Sequence, residues 1–297
     1  MVTVSVPATS ANLGAGFDSC GIALSLYNTA SFAEMDGISI TSADGSFVPQ
    51  GPGNLIYHTA QEVYRLCDKP FKGLSIVQTN PIPMARGLGS SSACIAAGIL
   101  GANALLQNPL SADEVLTLAT QMEGHPDNVA PALRGGFVVS AFDEGKVFAL
   151  QKSIADSIVF AAFIPNFKLL TEKARAVLPQ QVPYKDAVYN LSRAALLATA
   201  FCTERYDFLS VATKDSLHQQ YRLPLIAGGD AVFALCKTLG AIGTFISGAG
   251  PTILAVVPAE HAAFFTQAEA ALAQDARLSA FTLHRFTADN IGATVRV

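Results

Sequence analysis

The run Gly87-Leu88-Gly89-Ser90-Ser91-Ser92 lies between the turn Pro81-Ile82-Pro83 and the small residues Ala93-Cys94-Ile95-Ala96-Ala97-Gly98. It has the composition of a phosphate cradle. Glycines let backbone approach an oxyanion, serines add hydroxyl donors, and a helix starting here aims its free N–H groups and positive dipole end at the same anion. The loop is not a Walker A sequence, since no Lys follows the second Gly and the Gly-to-Gly spacing is short. A Ser-capped helix after a glycine turn is the plainer reading of these residues alone. Other segments must decide between the two.

Three further segments carry chemistry-bearing residues. Pro7-Ala8-Thr9-Ser10-Ala11-Asn12-Leu13-Gly14-Ala15-Gly16-Phe17-Asp18 opens the chain, Glu123-Gly124-His125-Pro126-Asp127-Asn128-Val129-Ala130-Pro131 stands mid-chain, and Ser247-Gly248-Ala249-Gly250-Pro251-Thr252 lies near the end. With the glycine/serine loop, this ordered set resembles the GHMP small-molecule kinases over nearly the whole chain. In detail it is similar to the members that phosphorylate the side-chain hydroxyl of L-homoserine on the way to threonine. The resemblance implies an α+β fold of two domains, ribosomal-S5-like then ferredoxin-like, with the active site between them. It also implies ATP and Mg²⁺ as cofactors.

Phosphoryl transfer is mostly positioning and charge neutralisation, and without a Walker lysine the neutralising charge must come from the helix N-terminus and a divalent metal. Mg²⁺ is satisfied by one or two protein oxygens and keeps several waters, so one hydroxyl and one carboxylate suffice. Ser91 and Glu123 match the family's magnesium-binding serine and glutamate. The nucleotide side is expected from Pro83, Arg86, Gly87, Leu88, Gly89, Ser90, Ser91, Ser92 and Ala93. Asn54 matches the family's adenine-side segment, with plain capping of the next helix as its alternative. An amino-acid acceptor needs guanidinium donors opposite an anion. The resemblance assigns Asn12, Asp18 and His125 to the acceptor, with Asp18 facing its ammonium and with Arg175 and Arg222 clamping its carboxylate. Asp127 or Asn128 is expected either as base or as an orienting group for the hydroxyl, because a loose transition state makes strong deprotonation unnecessary.

Two rivals share these residues: a GHMP kinase with another alcohol, of the mevalonate or diphosphocytidyl-methylerythritol type, and a silent nucleotide-binding protein on the same fold. The zwitterion-matching set argues against the first, and intact Ser91 and Glu123 against the second. A serine-hydrolase reading of Ser90 to Ser92 fails because the loop is not G-x-S-x-G.

The elements that must position these groups belong to a well-buried enzyme. In 297 residues only 14% are charged, below the usual ~25%. The net charge of -4 offers no basic field for nucleic acid or anionic lipid. Met1 runs straight into the strand-like Val2-Thr3-Val4-Ser5-Val6 without a signal segment, so a cytoplasmic location is expected. Cys20, Cys67, Cys94, Cys202 and Cys236 show no CxxC spacing and read as reduced, buried fillers. A small-molecule partner is expected, with a homodimer left open.

Periodicity predicts strands over 22–32 and 73–79 and helices over 54–67 and 90–106, and the capping box Ser111 to Glu114 opens another helix. Strands over 137–142 and 147–150 complete a first unit, residues 1–155. A polar stretch at 151–156 leads to a second unit, 156–297, with strands over 157–164, 244–247 and 252–257. Its helices are expected at 171–178, 184–202, from 229 and over 259–273, followed by two terminal strands. Such mixing predicts α+β packing, helices on one face of largely antiparallel sheets.

Overall fold

A computed structural model describes residues 1–297. The chain opens with β1 (Val2–Asn12), β2 (Gly16–Glu34) and β3 (Gly37–Ser42), then α1 (Leu55–Leu66) and β4 (Gly73–Thr79). Three helices follow, α2 (Ser90–Leu105), α3 (Ala112–Glu123) and α4 (Pro126–Arg134), and then the strands β5 (Phe137–Asp143), β6 (Lys146–Lys152) and β7 (Ile158–Pro165). Beyond them lie α5 (Thr171–Ala176), α6 (Tyr184–Thr203), α7 (Leu209–Ala212), α8 (Gln219–Arg222) and α9 (Gly229–Thr238). The last elements are β8 (Gly243–Ile246), β9 (Ile253–Pro258), α10 (Ala263–Gln274), β10 (Phe281–Phe286) and β11 (Thr294–Arg296). The α+β expectation holds.

A seven-stranded sheet runs β11-β1-β2-β4-β3, and the first part of the long β2 also pairs with β5, which pairs with β6. One register shift, between Pro7 and Ala8, lets β2 serve β5 through Cys20 to Ile22 and β4 through Thr29 to Glu34. All pairings are antiparallel except β3 with β4, where α1 forms the crossover. The second sheet, β10-β7-β9-β8, is antiparallel throughout. The residues 155–156 lie between β6 and β7, where the chain passes from one sheet to the other.

The sequence Ile-Val-Phe-Ala-Ala-Phe-Ile of β7 has no polar alternation, as expected of a strand buried on both faces. Ile158, Phe160 and Ala162 join the larger core, together with α2 and the first sheet, while Val159, Ala161 and Phe163 join a smaller core under α9 and α10. β9 divides in the same way, Leu254 and Val256 to one side and Ile253, Ala255 and Val257 to the other. The larger core thus runs through both sheets and fixes the loops between them.

Most expected elements appear within a residue or two, and α3 carries the reciprocal capping box of Ser111 and Glu114. Four elements were not anticipated: β3, α4 and the short helices α7 and α8. The α10 helix begins at Ala263, later than expected, because β9 runs on to Pro258 and a turn follows. Cys202 also departs from expectation: it is exposed at the end of α6, whereas Cys20 and Cys236 are buried.

Candidate active site

The four chemistry-bearing segments converge at one place, and backbone and side-chain bonds knit them. Thr9 N donates to Leu88 O (3.2 Å), Gly248 N to Ala11 O (3.1 Å), and Thr252 N to Arg86 O (3.2 Å). Ser247 Oγ lies 2.8 Å from Ser10 Oγ and donates to the Gly87 carbonyl. Around this knot lies a cavity of about 240 Å³. Its wall includes every residue expected for catalysis, metal and acceptor: Asn12, Asp18, Ser91, Glu123, His125, Asp127, Asn128, Arg175 and Arg222.

The loop enters α2 through Gly89, whose φ of 70° is left-handed and whose Cβ, if present, would lie 2.0 Å from Thr9 Oγ1. Glycine is required there. No side chain caps the helix, and the N–H groups of its first turn have no intrahelical partner, so Ser90 and Ser91 present donors at the cavity edge with Ser92 buried behind them. Leu88, Ser92 and Ala93 are buried; Leu88 lines the cavity with nothing but backbone to offer a ligand, whereas Ala93 stands off it with its N–H bonded to Gly89 O (2.8 Å). Arg86 lines the cavity too, and its guanidinium donates to the carbonyls of Pro165 (2.8 Å), Asn166 (3.0 Å) and Met84 (3.3 Å), strapping the loop to the end of β7.

Glu123 closes α3, and Gly124, at φ 93°, turns the chain into α4. Ser91 Oγ donates to Glu123 Oε2 (3.0 Å) and Ser92 Oγ to Oε1 (2.8 Å). Burial pushes the Glu123 carboxyl up, against the two serine hydrogen bonds that favour its charged form. A half-buried carboxylate beside a hydroxyl, at a helix N-terminus, is a donor set that suits a hard divalent cation.

Proline at N1 starts α4 and places Asp127 and Asn128 in its first turn, under the N-cap residue His125. Asp127 is 2% exposed and its Oδ1 receives His125 Nδ1 and, at 3.4 Å, Asn128 Nδ2. Burial works against a charged His125, yet the hydrogen bond and charge of Asp127 prevail and its pKa is raised. Thr9 Oγ1 donates to Asn128 Oδ1 (2.8 Å), fixing that amide.

The acceptor side holds opposite charges in contact. Arg175, on α5, makes two bonds to Asp18, Nη2 to Oδ1 at 2.8 Å and Nη1 to Oδ2 at 3.1 Å. The Asp18 hydrogen bond raises Arg175 further above its ordinary range. Arg222, on α8, is 1% exposed and donates to the Ala174 carbonyl (3.2 Å) and the Gly248 carbonyl (3.1 Å). Burial, then the charge of Arg175, pushes its pKa down to about 10. Asn12, at φ 72°, spends its amide on structure, accepting from Asp18 N (3.0 Å) and donating to Gly248 O (2.9 Å).

Asn54 lies outside this cavity, in a neighbouring hollow of about 370 Å³ that it shares with Pro83, Ser90, Ser91 and Cys94. Its Oδ1 caps α1 through Ile56 N and Tyr57 N and accepts from Gln78 Nε2. Its Nδ2 donates to Pro49 O, so the whole side chain is committed to holding the hollow's wall.

With this geometry in place, comparison with known proteins is direct. A family model described as the GHMP kinases N-terminal domain matches residues 54–136. The homoserine kinase of Caldicellulosiruptor saccharolyticus is 45% identical over 99% of this chain and 96% of its own length. The chain belongs to the homoserine kinases of the GHMP family. Among solved structures, a homoserine kinase from Cytophaga hutchinsonii superposes with a TM-score of 0.86 at 26% identity, covering 99% of this chain and 97% of the other. A Listeria monocytogenes chain assigned as a homoserine kinase gives 0.84 at 34% identity, covering 100% and 99%. No helix is long and apolar enough to cross a membrane.

Several residues that build this homoserine-kinase-like site are absent from the sequence expectations. Thr9, Ser10 and Ser247 are buried links between segments, and His218, fully buried, touches Arg222. Thr9, Ser10 and Ser247 stand inside the quoted motifs, so their type was visible while their partners were not.

Proposed function

We propose that the chain catalyses ATP-dependent phosphorylation of the side-chain hydroxyl of L-homoserine, supplying O-phospho-L-homoserine for threonine synthesis in the cytoplasm. The observation that carries the reading is the meeting, in one cavity, of the α2 N-terminus with Ser91 and Glu123 on one side and of Asp18, Arg175 and Arg222 on the other. A zwitterionic acceptor needs an anion for its ammonium and guanidinium donors for its carboxylate, and an alcohol such as mevalonate offers no ammonium.

The residues divide the work. The backbone N–H groups of Ser90 to Ser92 bind phosphate, while Ser91 Oγ and Glu123 would hold Mg²⁺. When bound, the metal supplies charge neutralisation that a Walker lysine supplies elsewhere. The adenine takes the hollow beside Asn54, whose side chain shapes that wall and leaves ring contacts to its neighbours. Asp18 takes the substrate ammonium and Arg222 the carboxylate, with Arg175 bridging the two from its position on Asp18. Asn128, held by Thr9, and Asp127, held by His125, orient the hydroxyl toward the γ-phosphorus. A loose transition state asks for alignment more than for a strong base.

ADP release measured with homoserine, serine, threonine, mevalonate and an amino-alcohol analogue lacking the carboxylate tests the reading. Homoserine should be preferred by at least roughly 30-fold in kcat/KM over the analogue, the size of one lost charge-assisted contact. Equal turnover of mevalonate or of the analogue refutes it.

A further inference from the structure

His218 stands four residues before Arg222 and has no solvent exposure. Its Nε2 lies 2.9 Å from the carbonyl of Gly14, in the first motif. A carbonyl only accepts, so the ring proton sits on Nε2 and Nδ1 keeps its lone pair. On that side Arg222 Nη1 lies 3.3 Å from Nδ1, and a guanidinium only donates. The tautomer imposed from one side is therefore the one that the other requires. Asp215 fixes the turn below, accepting from the backbone N–H of Leu217 (3.0 Å), His218 (2.8 Å) and Gln219 (2.7 Å). The imidazole stacks on Phe17, ring centroids 5.0 Å apart and planes within 24°. The same Phe17 ring lies 5.2 Å from the Arg222 guanidinium and 5.8 Å from that of Arg175. Burial first, then the charge of Arg222, hold the His218 pKa below its usual value against the pull of Asp215.

We infer that His218 is a positioning residue for the acceptor pocket: as the neutral Nε2–H tautomer it hangs from the Gly14 carbonyl and, through Nδ1, sets the aim of the Arg222 guanidinium at the substrate carboxylate. The inference rests on the reading of Arg222 as a carboxylate ligand. It links the first motif, which otherwise meets Arg222 through the Phe17 ring and through Asn12 by way of Gly248, to a residue more than two hundred positions away. Arg222 has no carboxylate among its hydrogen-bond partners to orient it, so a neutral acceptor takes that part without cancelling its charge.

Asparagine and glutamine separate the two bonds of the ring. The amide oxygen of Asn reaches the place of Nδ1, and the amide nitrogen of Gln reaches the place of Nε2. His218→Gln should raise KM for homoserine roughly 10- to 100-fold, the range carried by a hydrogen bond to a charged group, with KM for Mg·ATP within about twofold. His218→Asn should stay within about threefold of the parent in homoserine KM, although it loses the bond to Gly14 and some thermal stability. In an Arg222→Met background, His218→Gln should change homoserine KM no further. The inference is overturned if His218→Gln keeps the parental homoserine KM, raises the ATP KM equally, or adds its full effect to Arg222→Met. An Arg222→Met enzyme with the parental homoserine KM instead strikes the reading of Arg222. Should the His218 variants fail to fold, ring ¹H–¹⁵N spectra of the unsubstituted protein decide. A neutral Nε2–H ring from about pH 6 to 8 is expected, and an Nδ1–H tautomer or an imidazolium there overturns the inference.

Discussion

Arg222 is a buried cation whose hydrogen bonds go to two carbonyls and a ring nitrogen, none of them anionic. Burial and the charge of Arg175 push its pKa from 12.5 down to about 10, the direction expected of a cation kept charged at the expense of the fold. At about 1.4 kcal/mol per pKa unit, the displacement corresponds to about 3 kcal/mol at neutral pH. Methionine has a similar length, no charge and enough flexibility to fill the space. Arg222→Met therefore removes a destabilising charge but leaves Ala174 O and His218 Nδ1 without a donor, at about 1 kcal/mol each. Gly248 O keeps the amide of Asn12. The expected net is about 1 kcal/mol of added stability, or a rise in Tm of about 2 °C for a chain of this size. Ordinary truncation of a buried side chain would instead cost about 2–5 kcal/mol. Calorimetric melting of the ligand-free protein measures the first quantity and steady-state ADP release the second. Homoserine KM should rise at least about 30-fold in the same variant. A Tm that falls by about 5 °C or more refutes the argument that Arg222 is kept for binding at the expense of the fold. Arg175 provides the contrast: the side chains of its pair with Asp18 are 38% and 35% exposed, so screening leaves at most about 1 kcal/mol of stability to lose. Arg175→Ala should thus weaken homoserine binding with little change in Tm.

Glu123→Gln should lower kcat by about 100-fold or more at saturating Mg²⁺ while melting no earlier than the parent, because burial already disfavours the charged carboxylate; unchanged kcat would remove Glu123 from the metal site. Gly89→Ala should cost about 1–3 kcal/mol and raise KM for ATP, since the new Cβ meets Thr9 Oγ1 at a left-handed φ, and a variant with parental Tm and KM would contradict the packing described. For His125 the folded pKa is raised above 6.5, so its pairing with Asp127 stabilises fully below 6.5 and fades as pH climbs through the raised value. His218, whose folded pKa is lowered, works in reverse: its neutral ring costs stability as pH falls below 6.5. Urea melts from about pH 5 to 8 should accordingly show His125→Gln losing most at the acid end, and a loss that grows with pH would reverse the assignment.

Hydrophobic period and turn chemistry made most elements of this chain legible, since α1, α2 and α3 carry their own caps or glycine turns. α4 was hidden because Pro126 and Pro131 read as loop, though the first sits where its missing N–H costs nothing. β3 was hidden by its weak polar pattern Gly-Ile-Ser-Ile-Thr-Ser, and only the parallel partner β4 makes it a strand. At the site, residue types were legible and partners were not. Asn12 and Asn54 read as ligand-binding amides; each lines a hollow, and each also holds backbone groups that no spacing in the sequence reveals. Arg86, expected on the nucleotide side, lines the cavity while its guanidinium fastens the loop to the end of β7. His218 gave no local signal, because its two partners lie on opposite sides of the ring, one of them two hundred residues distant.

The short β11 pairs with β1, Thr3 opposite Arg296, and just ahead of it Leu24 bridges Ala288 and Tyr27 donates to Asp289. The edge of β1 is therefore completed by a strand almost three hundred positions away. Without that segment β1 has one free edge, and the last turn of α4 loses the bond from Ala293 N to Ala132 O. Closing this edge brings together segments separated by nearly the whole length of the chain, so it carries a large loop-closure cost and is the kind of non-local pairing that slows folding.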